Sequence, residues 1–423
     1  ARSAGDHDAM IEALLVNVRT SVDAARECDV ERIELLEYAL GLPSIDAGRR
    51  ARVLGALAVE LLFLGVTARR RAVLDEARTL ADGVDEPLVR IDVSASHFWA
   101  RSRASWSADE FDDDRARARA ALDRAAELAD PLGLAILQGQ AAAYAVLAGD
   151  GADLRRQEAA LAVTSDGGRH QVARRAQLLV ARTVATLEGR MAEADELSIE
   201  GRDLRRKTGL VEAERLRTME LAAIRREEGR LEEMLPAVAD QAAGQAPAGV
   251  ATATLAFVMA ETGRDADAAI LLHEAGDGGF CDIPDDAQWP VAVGLWAEVA
   301  ARVGDLGAAT ALHDLVLPGS GRSMSGEGME LGPAARLVGM LGQLVGRPEE
   351  ADPFFADAIS FATALGSPVW VARSALDWAE TWLRRDEPDQ AARLIDAADV
   401  AMAGLDLPAL QAQSADLRSR LAR

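Results

Sequence analysis

Aromatic residues make up only 4% of this 423-residue chain, and lysine occurs once, at Lys207, against 45 arginines. The apolar share, 49%, is therefore mainly Ala, Leu and Val. Small side chains and Leu favour helices that approach closely. The near-absence of lysine reads as GC-rich coding sequence rather than function. Basic residues as a class are also in deficit: the formal net charge is −23. Nucleic-acid binding draws on a basic footprint, so the surface as a whole is not expected to contact nucleic acid directly. Two cysteines, Cys28 and Cys281, stand far apart without a CxxC spacing, which excludes a disulfide scaffold and points to a reducing, cytoplasmic compartment. Long apolar runs are scarce. The longest, Val53 to Val66, is interrupted by Glu60, so no membrane span is expected. No signal peptide precedes the first helix-like segment, and the chain opens on Ala1 rather than Met, as part of a longer protein would. Alternation of β-branched and polar residues is not sustained anywhere.

What the sequence has is a repeated phrase. A helix-like stretch ends in Gly, mostly followed by Arg or Asp, and an Ala-rich helix begins. The phrase recurs at Gly149, Gly189, Gly229, Gly263, Gly304, Gly346 and Asp386, at intervals of 40, 40, 34, 41, 42 and 40 residues. Gly65 lies two periods before Gly149, and Ser107 takes the slot between them. A fixed period of this size means stacked helical hairpins, and the left-handed glycine is what ends the first helix of each cheaply. Around Gly65 the pattern predicts one helix over about Ala47 to Phe63 and a second over about Ala68 to Leu80. The expectation is an all-α, superhelical solenoid of about ten antiparallel hairpins, forming one repeat domain over 1–423. It divides into N-terminal hairpins 1–83, central repeats 84–275, and C-terminal repeats 276–423 that carry two long loops. Pro408 to Arg423 reads as a closing helix.

The two loops, 276–286 and 317–333, break the rhythm and are rich in Gly, Ser, Pro and Asp. Loops of this length are functional or disordered. Asp282, Asp285 and Asp286 lack the spacing, Gly and terminal Glu of a calcium loop. Gly319 to Ser323 lacks the Lys and the preceding strand of a phosphate-binding loop. The five histidines are scattered without an i, i+4 pair, and no Gly-x-Ser-x-Gly elbow exists. No metal, cofactor or enzymatic activity is expected.

Candidate binding residues come from arginine and tryptophan. First helices of hairpins generally line the concave wall of such arrays, and two central ones carry Arg174, Arg182, Arg215 and Arg217 opposite acid-rich second helices. With Arg322 in the long loop 317–333 as a rim, these make a candidate groove for an acidic protein segment, a peptide or a small anionic ligand. The bland reading is a solvated face of i, i+4 ion pairs, which is the favoured one. The tryptophans sit at same-face helical spacings and read first as packing. Trp99, Trp106 and Trp289 are kept as candidate anchors because Trp is enriched at binding hot spots.

Four runs carry a family resemblance: Arg52-Val53-Leu54-Gly55-Ala56-Leu57-Ala58-Val59-Glu60-Leu61, Asp29-Val30-Glu31-Arg32-Ile33-Glu34-Leu35-Leu36-Glu37, Asp286-Ala287-Gln288-Trp289 and Leu331-Gly332-Pro333-Ala334-Ala335-Arg336. In these the chain resembles the tetratricopeptide-like repeat region of large actinobacterial signalling ATPases. The resemblance implies a regulatory sensor and interaction domain of a transcriptional regulator, whose partner is the ATPase module of the parent chain. Effectors in that family include LuxR-type and winged-helix DNA-binding domains, nucleotide cyclases and Ser/Thr kinases. The alternative is a freestanding repeat scaffold for protein–protein interaction, or the regulatory domain of a nucleotide cyclase or Ser/Thr kinase.

Overall fold

The computed structural model describes residues 6–15, 29–62, 64–100, 108–165, 171–207, 213–286, 288–326 and 328–423. Among them lie 21 α-helices in ten consecutive pairs with a closing helix. The turn grammar explains why. Gly65, Gly149, Gly189, Gly229, Gly263, Gly304 and Gly346 all have φ between 67° and 81°, and Asp386 adopts 62° in the same slot. At most of these turns the amide of the next residue closes the helix by a six-residue loop, as in Arg190 N to Ala185 O at 2.8 Å and Arg264 N to Met259 O at 2.8 Å. The carbonyl of that same residue accepts the first bond of the second helix, as Arg190 O does from Ala194 N at 3.0 Å. Five residues after each of these turns stands a buried side chain: Leu154, Ala194, Met234, Ala268, Ala309, Ala351 and Ala391. Ala recurs there because the paired helices cross closest at that point, as where a Cβ on Gly342 would lie 3.3 Å from that of Ala351.

The packing groups the residues into two compact units. Unit 1 comprises Ala1–Tyr144, Arg156–Gln177 and Asp285–Ala287. Unit 2 comprises Ala145–Arg155, Leu178–Pro284 and Gln288–Arg423. Unit 1 contains α1 (His7–Leu15), α2 (Val30–Leu40), α3 (Ala47–Leu62), α4 (Thr67–Gly83), α5 (Pro87–Ala100) and α6 (Ala108–Glu127), and most of α7 (Pro131–Ala148). Helix α3 buries Ala51, Leu54, Leu57, Ala58 and Leu61 against α2, α4 and α5. Glu60, which interrupts the apolar run, is buried and paired with Arg32 Nε at 2.8 Å. In this unit the close-packed slot after Gly65 holds Arg70 instead of Ala. Arg70 is fully buried and donates from Nη2 to the carbonyl of Asp285 at 2.5 Å.

One detail is corrected here: Val53 to Val66 is not the longest apolar run. Helix α7 is 18 residues long with a mean hydropathy of 1.3, so by length and composition it qualifies as a span. About 61% of it is nevertheless buried within the protein, and Gln140 donates to Ala95 O at 3.1 Å. It reads as a core helix.

Unit 2 receives parts of α8 (Gly151–Ser165) and α9 (Gln171–Leu187), then α10 (Met191–Lys207), α11 (Ala213–Glu227) and α12 (Leu235–Ala242). It continues with α13 (Val250–Glu261), α14 (Asp265–Gly276), α15 (Trp289–Val303), α16 (Leu306–Val316), α17 (Ala334–Leu344) and α18 (Pro348–Leu365). The last are α19 (Pro368–Arg384), α20 (Pro388–Ala401) and α21 (Pro408–Leu421). First helices pack on the next first helices, α13 on α15, α15 on α17 and α17 on α19, the register of a helical-repeat solenoid. The array then returns on itself. A Cβ on Gly149 would meet the Phe361 ring at 2.8 Å, and one on Gly151 the Leu365 carbonyl at 2.5 Å. Ser367 donates to Leu187 O at 2.8 Å. Ala185, Met191, Ala194 and Ile224 share one core cluster with Val369, Leu376, Ile395, Leu407 and Leu417.

The long loop 317–333 is a second correction. Its described residues form a short 3-10 turn (Leu317–Gly319) and an antiparallel pair, β1 (Ser323–Gly326) with β2 (Met329–Pro333), with a bulge between Ser323 and Ser325. Met324, Met329 and Leu331 are buried, so it is an inserted element and not a solvent-facing rim.

Candidate functional site

The inner face of unit 2 is built by the first helices of its hairpins, of which α15 and α17 carry only one or two charges in an otherwise apolar run while α11 and α19 carry several. Helix α15 buries every residue from Trp289 to Ala300 and contributes Glu298. Helix α17 contributes Arg336, α11 contributes Glu220, Arg226 and Glu227, and α19 contributes Trp370, Arg373 and Asp377. Glu298 accepts from Arg226 Nη2 at 3.2 Å and from Arg336 Nη2; Arg336 Nη1 reaches Asp377 at 2.6 Å. Arg373 Nη2 lies 2.7 Å from both oxygens of Glu227. Arg205 donates to Glu220, which also accepts from Ser198. Burial alone would raise the Glu298 carboxyl, but Arg336, Arg226 and Arg373 override it and hold the group down at about 2. Around Trp370 the guanidinium carbons of Arg336, Arg373 and Arg226 stand 5.4, 5.7 and 6.0 Å from the ring centroid.

The hairpin fills what this face encloses. Gly332, at φ 77°, lies so close to Trp370 that a Cβ would meet the indole at 2.3 Å. Gly328 packs on Leu216 and Glu220 of α11, and Gly294 of α15 leaves room for Leu331 and Met324. Glu330 is buried among hydroxyls: it accepts from Ser325 and, at 3.4 Å, from Thr183. Burial raises its pKa, and those two hydroxyls with the nearby Arg182 offset only part of that. A cavity of about 10 Å³, room for one water, remains between Thr186, Arg226, Met329, Glu330 and Trp370.

The expected groove arginines fall differently from the sequence reading. Arg182 is 1% exposed, under the hairpin, with Nε 3.8 Å from Glu220. Arg217 is buried and donates to Asp195 at 2.9 Å. Hydrogen bonds from Arg225 and Arg217 hold Asp195 below the usual carboxylate range against the opposing effect of burial. Both arginines are therefore interior ion-pair partners, not groove lining. Arg215 is half-buried, and its carbonyl accepts from Gln241. Arg174 belongs to unit 1 and donates to Gln177. Arg322 is half-buried at the hairpin base, where its carbonyl accepts from Ala334 N at 2.8 Å. Trp289 is buried at the start of α15 and Trp99 is half-buried edge-on to Phe98, so both pack; Trp106 lies outside the described residues. The residues missed were Glu298, Arg336, Arg373, Trp370 and Glu330. The signal for Glu298 and Arg336 was a charge within an apolar helical stretch, and for Glu330 the alternation of Met, Glu and Leu in the loop; Arg373 and Trp370 carried none.

No protein-family model and no curated protein matches the chain. Among solved structures, the crystal structure of the APC/C hetero-tetramer Cut9-Hcn1 aligns over 100% of this chain and 97% of that chain, at 12% identity and a TM-score of 0.32. A likeness at that level adds nothing to the fold read from the helices themselves.

Proposed function

We propose that the chain is a helical-repeat interaction module that binds extended protein segments on the inner face of unit 2, and that it acts by binding rather than by catalysis. One observation carries this reading: that face already holds an extended two-stranded segment, the only paired strands among the described residues. Two of its buried carboxylates, Glu298 and Glu227, are matched with Arg336 and Arg373, an arrangement suited to shape and rigidity more than to proton transfer. A displayed library of random peptides, selected on the purified chain, is the test. Enriched peptides carrying a photo-crosslinker are expected to label α9, α11 and α19. Labels confined to second helices such as α14 and α16 would contradict it.

The finer reading, a sensor that regulates a signalling ATPase in a transcriptional regulator, rests on the resemblance of residues 29–37, 52–61, 286–289 and 331–336. It predicts an ATPase module in the same gene whose nucleotide hydrolysis changes when this chain is removed. Unchanged hydrolysis would leave a freestanding scaffold.

A further inference from the structure

We propose that the hairpin 323–333 is a displaceable occupant of the inner face of unit 2, standing in for a partner's extended segment. That segment carries apolar side chains at alternate positions and an uncharged hydrogen-bonding side chain between them. The inference rests on the interaction reading above and deepens it.

Four features of the seat point this way. First, β1 and β2 satisfy one another's backbone, so the hairpin can leave without orphaning the helices. The chain is already closed beneath it, because Ala334 N bonds to Arg322 O at 2.8 Å. Second, the apolar contacts are Met324, Met329 and Leu331, mostly unbranched, adaptable side chains that other apolar groups replace at little cost. Third, the fit is incomplete. Among the described residues, Arg182 Nε and Nη1 and Arg226 Nε and Nη1 are buried without a hydrogen-bond partner, and the small cavity lies beside Arg226. Buried donors are ordinarily matched, so this face has capacity that the hairpin leaves unspent.

Fourth, Glu330 is the wrong side chain for its place. Its carboxylate is buried and, among the described residues, bonded only to the hydroxyls of Ser325 and Thr183. The charged groups facing it are Arg182 from α9 and, across the cavity, Arg226 and Glu227 of α11, with Glu220 of α11 beside Gly328. Both arginines already face other carboxylates, Arg182 that of Glu220 and Arg226 those of Glu298 and Glu261. A buried carboxylate bonded only to hydroxyls destabilises the seated hairpin, whereas an amide in its place would not carry that cost. The cis occupant is thus held weakly enough at neutral pH for a better-matched strand to displace it.

The experiment uses the whole chain and a variant in which residues 323–332 are replaced by a short Gly/Ser linker. The probe is a fluorescein-labelled peptide of residues 323–333, with a second peptide bearing Glu330→Gln, both followed by anisotropy. The hairpin-less chain is expected to bind the first peptide at least tenfold more tightly than the intact chain does. The Glu330→Gln peptide is expected to bind it more tightly still at pH 7, with the gap closing at pH 5. A folded hairpin-less chain that binds neither peptide, or an intact chain that binds as well, overturns the proposal. A Glu330→Gln peptide no tighter than the native one overturns the assigned seat chemistry. If the variant does not fold, hydrogen exchange on the intact chain decides. Hairpin amides exchanging faster than those of α15, and more slowly after Glu330→Gln, support it; exchange only together with α15 and α17 refutes it. Library-selected peptides that still label α9, α11 and α19 while these peptides fail would leave the interaction reading standing alone.

Discussion

At the scale of single residues, the turn slot and the buried charges behave differently on substitution. Gly304 has φ 75° and nothing within 4 Å of a Cβ, so Gly304→Ala costs only backbone strain, about 1–2 kcal/mol. Asp386 already accepts that strain at φ 62°, so Asp386→Gly should be neutral or stabilising by up to about 1 kcal/mol. Urea melts of the two variants check both signs. Glu298 sets an acid limit. Its pKa falls from 4.5 to about 2 on folding, so its contribution is present above 4.5 and is lost as pH falls through that window. The size is roughly 3 kcal/mol at 1.36 kcal/mol per unit. Glu298→Gln should therefore flatten the acid limb of the stability–pH curve while lowering stability at pH 7, since Arg226 and Arg336 lose their shared partner. An unaltered limb would show that the pair is solvated. Glu330 has the opposite sign: its folded pKa is raised, so stability falls as pH rises between the ordinary and the folded value. Glu330→Gln should raise stability at pH 7, and a loss there would mean that the carboxylate is better matched than its two hydroxyl partners imply.

Elements were legible to different degrees, and for physical reasons. The turn grammar was read nearly whole, because a left-handed residue is a local demand that Gly answers and Asp tolerates. Helices Ala47–Leu62 and Pro408–Leu421 lie within a residue or two of their expected limits. The hairpin was read as a loop because its alternation spans only Met329 to Leu331, amid glycines that usually signal turns. Those glycines are seats: Gly328 at φ 88° faces α11 and Gly332 faces Trp370. Gly332→Ala combines strain with a collision against the indole, so it should lift the hairpin and speed exchange of residues 329–333 while sparing α13. Uniform exchange across unit 2 would refute a separate element. The arginines misled for a related reason. A first-helix arginine such as Arg182 or Arg217 points inward in either reading, and only the distant carboxylates decide whether inward means an open groove or an ion-paired interior.

At the scale of the whole of unit 2, the account differs from an open solenoid, in which each repeat answers only to its neighbours. Here Leu187 meets Ser367, Glu227 meets Arg373 across 146 residues, and residues of α9 to α11 share a core with α19 to α21. Removal of α20 and α21 should thus weaken protection of α9 to α11 in hydrogen exchange, whereas an open array would lose protection only in α18 and α19. The most direct measurement is the double-mutant cycle of Arg373→Met with Glu227→Gln, read as unfolding free energy from urea melts. The returned array predicts a coupling of at least about 1 kcal/mol, since residues in one buried ion-pair network couple by 0.5–3 kcal/mol. Additivity of the two substitutions to within about 0.3 kcal/mol, the behaviour of distant independent sites, would contradict a closed inner face.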